Sequence, residues 1–335
     1  MKSTYSLDNG VFIKSAGTVV GPLEKQGNLI EYMDFSYDDP YCGEKSWEKA
    51  EMRLFQDAIQ LAMEKAKVTV NDLDAIFGGD LMNQHIVSHY VMRHFDVPYL
   101  NMFGACSTSM ETLLTAALLI NSRQMKQAIA VTSSHNKAAE KQYRYPIEYG
   151  NKRPDTASFT VTGAGAVCIS EDVSDIRVKS VTIGRVIDAK ENNPYDMGSA
   201  MAPAASDTII RHLNDLGVGL DYYDMIVTGD LSEYGSKVLL DIMKGQGYNI
   251  DDIHDDCGNM IYAPEQKGTV YAGGSGCACC AVVTYGYLFD LLRKGEVNRI
   301  LVVATGALHN PLMIMQKETM PCIAHAVAFE RMNVK

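Results

Sequence analysis

Cys106 is the residue of this sequence best placed to do chemistry. It lies within residues 103–111, FGACSTSME, where an apolar strand runs into a glycine turn and a long apolar helix begins at Ser107. A thiol at the start of a helix faces unpaired backbone N–H groups and the positive end of the helix dipole. That setting stabilises a thiolate nucleophile, and it equally suits a bound anion that never reacts. The sequence therefore poses a choice between catalysis and anion binding.

The polar residues nearest to this cysteine have two possible roles each. Ser107 and Thr108 could donate hydrogen bonds to a ligand carboxylate, or they could cap the helix. Asp80 and Asp230 follow strands in two similar segments, DAIFGGDL (residues 74–81) and DMIVTGDL (residues 224–231). Paired carboxylates can hold Ca²⁺, and they also satisfy backbone N–H groups in tight turns. The turn role is the commoner one, so all four residues stay candidates with both roles open.

Histidines supply the remaining candidates. His135 and Asn136 open a polar segment, residues 135–156, and His325 lies in a late strand. A single histidine is more often a satisfied core residue, and His135 is the stronger candidate because it opens the segment. His85 and His89 are four residues apart without the glutamate of a metalloprotease motif, so we assign both a structural role.

The elements around these residues are duplicated along the chain. A strand, a glycine turn and an apolar helix occur near Cys106, and GGSGCAC (residues 273–279) repeats the turn and helix start in the second half. The strand after each helix is followed by His-Asn, at residues 135–136 and 309–310. The period is near 150 residues, far longer than that of a solenoid repeat. Alternating strands and helices predict α/β layers with mixed sheets, and the two apolar helices are expected to be the most buried.

The composition limits the class of protein. The chain has 335 residues, 47% of them hydrophobic, and a formal charge of −11, which argues against nucleic-acid binding. No signal-peptide pattern opens the sequence, and no apolar run is long enough to span a bilayer, so we expect a soluble protein. The eight cysteines lack disulfide-framework or zinc spacing.

The duplicated unit with a cysteine after a glycine turn resembles the thiolase family, which includes the ketoacyl synthases. The resemblance covers nearly the whole chain and implies a five-layer αβαβα fold, with two mixed-sheet halves around a pair of buried central helices. The halves would be residues 1–175, with an inserted loop at about 135–156, and residues 176–335.

Several longer strings resemble the stage V sporulation protein AD family. They are GACSTSMET (104–112), SSHN (133–136), DMGSAMAPAA (196–205) and GGSGCAC (273–279). This resemblance implies binding of dipicolinic acid (pyridine-2,6-dicarboxylic acid), free or as its calcium chelate, for uptake into the developing spore and release in germination. It also implies a homodimer, located peripherally at the spore inner membrane and working with membrane proteins of the same transport machinery. No cofactor is expected, and Ca²⁺ only together with dipicolinate.

The catalytic groups of the thiolase family are mostly missing from the corresponding positions. Asp230 stands where ketoacyl synthases have a catalytic histidine, Ser275 where a second His or Asn is expected, and Ala304-Thr305-Gly306 where thiolases have a second cysteine. A carboxylate aimed at a developing oxyanion is repulsive, and a few kcal/mol of lost stabilisation slows a reaction roughly a hundredfold or more. We therefore expect a pocket that binds without catalysis.

The polar segment could supply the cation for such a ligand. It carries Lys and Arg residues interleaved with tyrosines, and Arg144 is our preferred partner for a ligand carboxylate because planar dianions suit bidentate arginine. A solvated loop is the default alternative.

Two functions thus remain open from the sequence. The first is non-catalytic binding of dipicolinate, and the alternative is acyl transfer with Cys106 as nucleophile and an unusual base, for which His135 is the candidate. A scaffold without a ligand is a weaker third option.

Overall fold

The computed structural model describes residues 2–143 and 153–333. The strands are β1 (Thr4–Ser6), β2 (Phe12–Val20), β3 (Phe35–Ser36), β4 (Ala75–Gly79), β5 (Tyr99–Asn101), β6 (Gln127–Ser134), β7 (Phe159–Thr160), β8 (Gly163–Ser170), β9 (Ile176–Thr182), β10 (Ile187–Asp188), β11 (Met225–Thr228), β12 (His254–Asp256), β13 (Gly274–Ser275), β14 (Arg299–Ala307) and β15 (Pro321–Arg331). The helices are α1 (Trp47–Ala66), α2 (Ile86–Met92), α3 (Thr108–Asn121), α4 (Asn136–Tyr143), α5 (Met197–Leu216), α6 (Ser232–Gly245), α7 (Cys257–Met260), α8 (Lys267–Val270), α9 (Cys277–Val282), α10 (Phe289–Lys294) and α11 (Pro311–Met315).

The second half of the sheet repeats the strand order of the first half in reverse, starting from the point where the two halves meet. From one edge the sheet runs β5-β4-β6-β8-β2 and continues β9-β15-β14-β11-β12, with β2 and β9 joined at a single residue pair, Phe12 and Arg177. In each half the outer strands are parallel and the inner ones antiparallel. This arrangement confirms the mixed sheets expected from the sequence.

The two apolar helices lie in the middle of the molecule. Helix α3 packs on β4 and β6 of one half and on β14 and β15 of the other, while α9 packs on β6 and β8. Every residue of α9 is buried, and a π-helical stretch, Val283–Leu288, connects it to α10. Helix α1 covers the outer face of the first half and α5 that of the second. The five-layer order of the thiolase fold is therefore confirmed.

Local sequence signals explain several element boundaries. Ser46 caps α1, since its hydroxyl accepts a hydrogen bond of 3.3 Å from the Lys49 N–H. The inserted loop expected at about 135–156 is helical in its first part, and residues 144–152 lie outside the described part of the chain. Residues 136–143 form α4, because the His135 Nδ1 accepts from the N–H groups of Lys137 (3.2 Å) and Ala138 (3.4 Å) and caps the helix.

Candidate functional site

A cavity of about 230 Å³ opens at Cys106. Its walls come from the segments that follow β4, β5 and β14, together with α4 and the start of α5, and Ser275 and Gly276 complete the lining beside the thiol. Parallel strands of both halves end here, which is where α/β folds place ligands. The cavity is thus the candidate functional site.

The turn that carries Cys106 is conformationally constrained. Ala105 has φ 52°, in the left-handed region that non-glycine residues rarely adopt. Gly306 of β14 lies against this turn, and a Cβ atom there would come within 2.1 Å of the Gly104 carbonyl oxygen. The glycine therefore lets the second half approach closely enough to support the cysteine turn.

Asp230 lies behind the thiol rather than in the cavity wall. Its carboxylate accepts hydrogen bonds from the Ser275 hydroxyl (3.0 Å), the Gly276 N–H (3.1 Å) and the Thr305 hydroxyl (2.7 Å). Ser275 Oγ is also 3.9 Å from Cys106 Sγ. Ser275 thus links the thiol to a buried acid.

This arrangement disfavours a thiolate. Burial and the charge of Asp230 raise the pKa of Cys106 well above its usual range. Burial also raises the pKa of Asp230, against the hydrogen bonds that stabilise its charged form. The Ser275 hydroxyl contacts the thiol, and the negative charge of Asp230 beside it opposes the formation of a thiolate.

Ser107 and Thr108 are buried and do not line the cavity. The Ser107 hydroxyl donates to the Gly104 carbonyl (2.6 Å) and the Thr108 hydroxyl to the Ala105 carbonyl (2.6 Å). Both hydroxyl groups therefore donate within the cysteine turn and stabilise it, so their protons are not available to a ligand. The alternative of helix capping by Ser107 is also not realised.

Asp80 is held in a turn, as its commoner role predicts. One carboxylate oxygen accepts from the Met82 N–H (2.9 Å) and the other from the Ser88 N–H (2.9 Å). The residue is buried and does not line the cavity. Within residues 2–143 and 153–333, no cluster of His, Cys, Asp or Glu is arranged to hold a metal ion.

The other predicted residues fall outside the cavity lining. The Nε2–H of His135 donates to the Pro40 carbonyl (2.7 Å) and its Nδ1 caps α4, so it is not placed to act as a base for Cys106. Asn136 is buried beside Thr162, whose hydroxyl accepts from the Asn136 N–H (3.0 Å). His325 is buried on β15, where its Nδ1 accepts from the Gly184 N–H (3.2 Å). Arg144 lies outside the described residues.

Several lining residues were not predicted from the sequence. His85, to which the sequence assigns a structural role, lines the cavity, and Phe103, Glu140, Tyr143 and His309 line it as well. Glu140 forms an ion pair with Arg153, and Tyr143 donates to the Leu81 carbonyl. The repeated His-Asn string after each strand was the one available signal for His309.

A second, wider cleft of about 440 Å³ lies between α6, α7 and α8. Its two lysines, Lys237 and Lys267, both bind the Glu233 carboxylate, at 2.8 and 2.6 Å. Both lysines of this cleft are therefore already paired with a carboxylate.

Comparison with known proteins assigns the family. The sequence matches the family described as stage V sporulation protein AD over residues 1–330. It is 53% identical over 330 residues to the stage V sporulation protein AD of Bacillus subtilis (strain 168), covering 98% of this chain and 97% of that protein. The chain belongs to the stage V sporulation protein AD family.

Solved structures with the same fold are more distant from this member of the stage V sporulation protein AD family. The 3-oxoacyl-[acyl-carrier-protein] synthase III from Aquifex aeolicus VF5 superposes with a TM-score of 0.58 at 13% identity, over 96% of this chain and all (100%) of that one. Cerulenin-bound Xanthomonas OleA gives 0.61 at 14% identity, over 95% and 96%. At this identity they establish the thiolase-like fold. None of the helices in the described part of the chain has the length and hydrophobicity that a membrane span requires.

Proposed function

We propose that this protein acts in sporulation by binding dipicolinic acid, free or as its calcium chelate, without catalysing a reaction on it. The observation that carries the proposal is the Asp230–Ser275–Cys106 arrangement, in which burial and the nearby Asp230 carboxylate disfavour the thiolate that a condensing enzyme needs. Membership of a sporulation protein family supports the biological setting.

The size of the cavity supports a small ligand. Pockets for drug-sized molecules measure about 300–1,000 Å³, and this one is smaller, at about 230 Å³. The aromatic side chains of Phe103 and Tyr143 and the polar side chains of Asn310 and His309 line the cavity, a combination that suits a flat ring with polar substituents.

The charges of the described lining bear on the form of the ligand. Glu140 is the acidic residue of this lining, and its partner Arg153 neutralises it. Asp230 adds negative charge behind the floor. The calcium chelate of dipicolinate is neutral, because the two carboxylates balance the charge of Ca²⁺. Dipicolinate itself supplies oxygen ligands to the metal, so the chelate needs no cluster of metal-binding side chains in the protein.

Titration calorimetry of the full chain with dipicolinate, with and without equimolar Ca²⁺, tests the proposal. We expect saturable one-site binding, and weaker binding of benzene-1,3-dicarboxylate, which lacks the ring nitrogen. Ala307→Phe, which fills the cavity, should abolish the signal. Ala272→Phe is the matched control because Ala272 is equally buried, at 5% exposed, and lines the second cleft.

The outcomes separate cleanly once thermal melting shows that the variants fold. No heat at millimolar dipicolinate with the wild-type chain would refute the proposal, as would unchanged binding by Ala307→Phe. Should that variant fail to fold, Leu308→Asp changes an exposed lining residue instead and is expected to weaken binding.

Acyl transfer is the second candidate, and one observation favours it. Cys106 lines the cavity and follows Ala105, whose backbone is in the left-handed region. Backbone strain of this kind is concentrated at functional sites. Intact-mass measurement after exposure to acyl-CoA of several chain lengths tests it, with Cys106→Ser as the control. A thiol-dependent adduct would support transfer, and its absence at every chain length would count against it.

A further inference from the structure

The wall segment Asn83–His85 is strained at the cavity. Gln84 (φ 57°) and His85 (φ 52°) are consecutive residues in the left-handed region, which is rare outside glycine. Such conformations persist only where the surroundings enforce them, and they concentrate at ligand sites. Both residues line the cavity, so the strain lies in its wall.

The His85 side chain has hydrogen-bonding capacity that the described residues do not use. Its Nδ1 is buried without a hydrogen-bond partner in residues 2–143 and 153–333. The ring contacts the Phe103 ring edge to face, with 5.2 Å between centroids. Burial lowers the pKa of His85, so the ring is neutral near pH 7 and has one N–H to donate.

Asp80 binds the backbone on both sides of the left-handed pair Gln84 and His85. Its two carboxylate oxygens accept from Met82 and Ser88, the residues on either side of the left-handed pair, at 2.9 Å each. Asp80 is fully buried and is not one of the residues that line the cavity. The carboxylate therefore fixes the backbone that carries His85.

We propose that His85 recognises the ligand by donating a hydrogen bond to a carboxylate of an aromatic dicarboxylic acid, and that Asp80 is the positioning residue for His85. This inference rests on the proposed function, since it assigns residues to the same cavity. It gives Asp80 a role in binding that acts through the turn and needs no contact with the ligand or a metal.

Calorimetry with dipicolinate on His85→Ala and His85→Phe tests the first part. Losing a hydrogen bond to a charged group weakens binding by about tenfold or more. The phenylalanine variant keeps the ring contact with Phe103, so an equal loss in both variants attributes the effect to the ring nitrogens. His94→Ala, at an exposed histidine that follows α2 and does not line the cavity, is the control and should bind as the wild type does.

Asp80→Asn tests the second part. The amide nitrogen of asparagine cannot accept from a backbone N–H, so one end of the segment is released and the dissociation constant should rise by about tenfold. Combined with His85→Ala, it should add little, because the two residues act as one unit. Asp74→Asn is the matched control, since Asp74 accepts from the Lys126 (2.6 Å) and Gln127 (3.0 Å) N–H groups at the other end of β4.

Failure of this inference is distinguishable from failure of the proposed function. A wild-type chain that does not bind dipicolinate refutes the function. Wild-type binding with equal affinity in both His85 variants refutes the role of His85. Additive losses in the double variant, or an equal loss in Asp74→Asn, refute the positioning role of Asp80. If Asp80→Asn does not fold, the His85 variants still test the role of His85.

Discussion

Cys106 combines a reactive residue type with surroundings that keep it protonated. The thiol is buried, and the nearby Asp230 charge raises its pKa further. Helix α3 begins two residues later, yet the desolvation of a buried thiolate outweighs the favourable end of the helix dipole. A cysteine of this kind contributes shape and polarity to a cavity floor more readily than it attacks a substrate.

Replacing Asp230 should make this thiol more reactive. In Asp230→Asn the charge that opposes the thiolate is removed, so the pKa of Cys106 falls and the thiolate fraction at a given pH rises. One pKa unit corresponds to about tenfold in that fraction. The rate of iodoacetamide labelling at Cys106, followed by intact mass between pH 7 and 9, should increase several-fold, in proportion to the larger thiolate fraction.

Cys106→Ser in the same background gives the labelling of the other cysteines, all of which are buried. An unchanged rate in Asp230→Asn would mean that burial alone controls the thiol.

At the scale of elements, strand β14 and the cysteine turn support each other across the two halves. Gly306→Ala would place a Cβ atom 2.1 Å from the Gly104 carbonyl oxygen, so the turn or the strand must move. Overpacking of this kind costs about 1–3 kcal/mol. We expect a lower melting temperature together with weaker binding in the cavity.

Gly245→Ala is the matched control for this substitution. Gly245 lies at the end of α6, and a Cβ atom added there would have nothing within 4 Å, so alanine should be neutral or slightly stabilising. Equal melting temperatures of the two variants would contradict the close approach at Gly306.

Elements with strong local signals could be predicted from the sequence, and the cavity could not. The Ser46 cap and apolar stripe defined α1, and the glycine turn before an apolar run located α3. Helix α4 was missed because its cap is a histidine ring and its residues are polar. The cavity lining comes from segments far apart in the chain, so His85 joins it only through the strained turn that follows β4.

At the scale of the whole molecule, Glu24 is a carboxylate buried at a contact between the two halves. It accepts from the Tyr262 hydroxyl (2.6 Å) and the Thr162 N–H (3.0 Å), while its Oε2 has no partner in the described residues. Burial raises the pKa of Glu24 from 4.5 to about 7. Its charge is therefore a cost to the folded state near neutral pH.

The sign of the pH dependence follows from this shift. Between pH 4.5 and about 7 the folded state keeps a proton on Glu24 that the unfolded state has lost. Stability from this group therefore falls as pH rises through that window, by about 3 kcal/mol in total. Below pH 4.5 both states are protonated, and the penalty disappears.

Glu24→Gln should remove this penalty while one side-chain oxygen still accepts from Tyr262 and Thr162. Its melting temperature relative to the wild type should therefore rise from pH 5 to about pH 7 and then level off, measured by scanning calorimetry in matched buffers. Glu64→Gln, at an exposed glutamate of α1, should show a difference that is flat with pH. A flat difference for Glu24→Gln as well would mean that Glu24 is already ionised in the folded protein, with its charge satisfied by the two hydrogen bonds that join the halves.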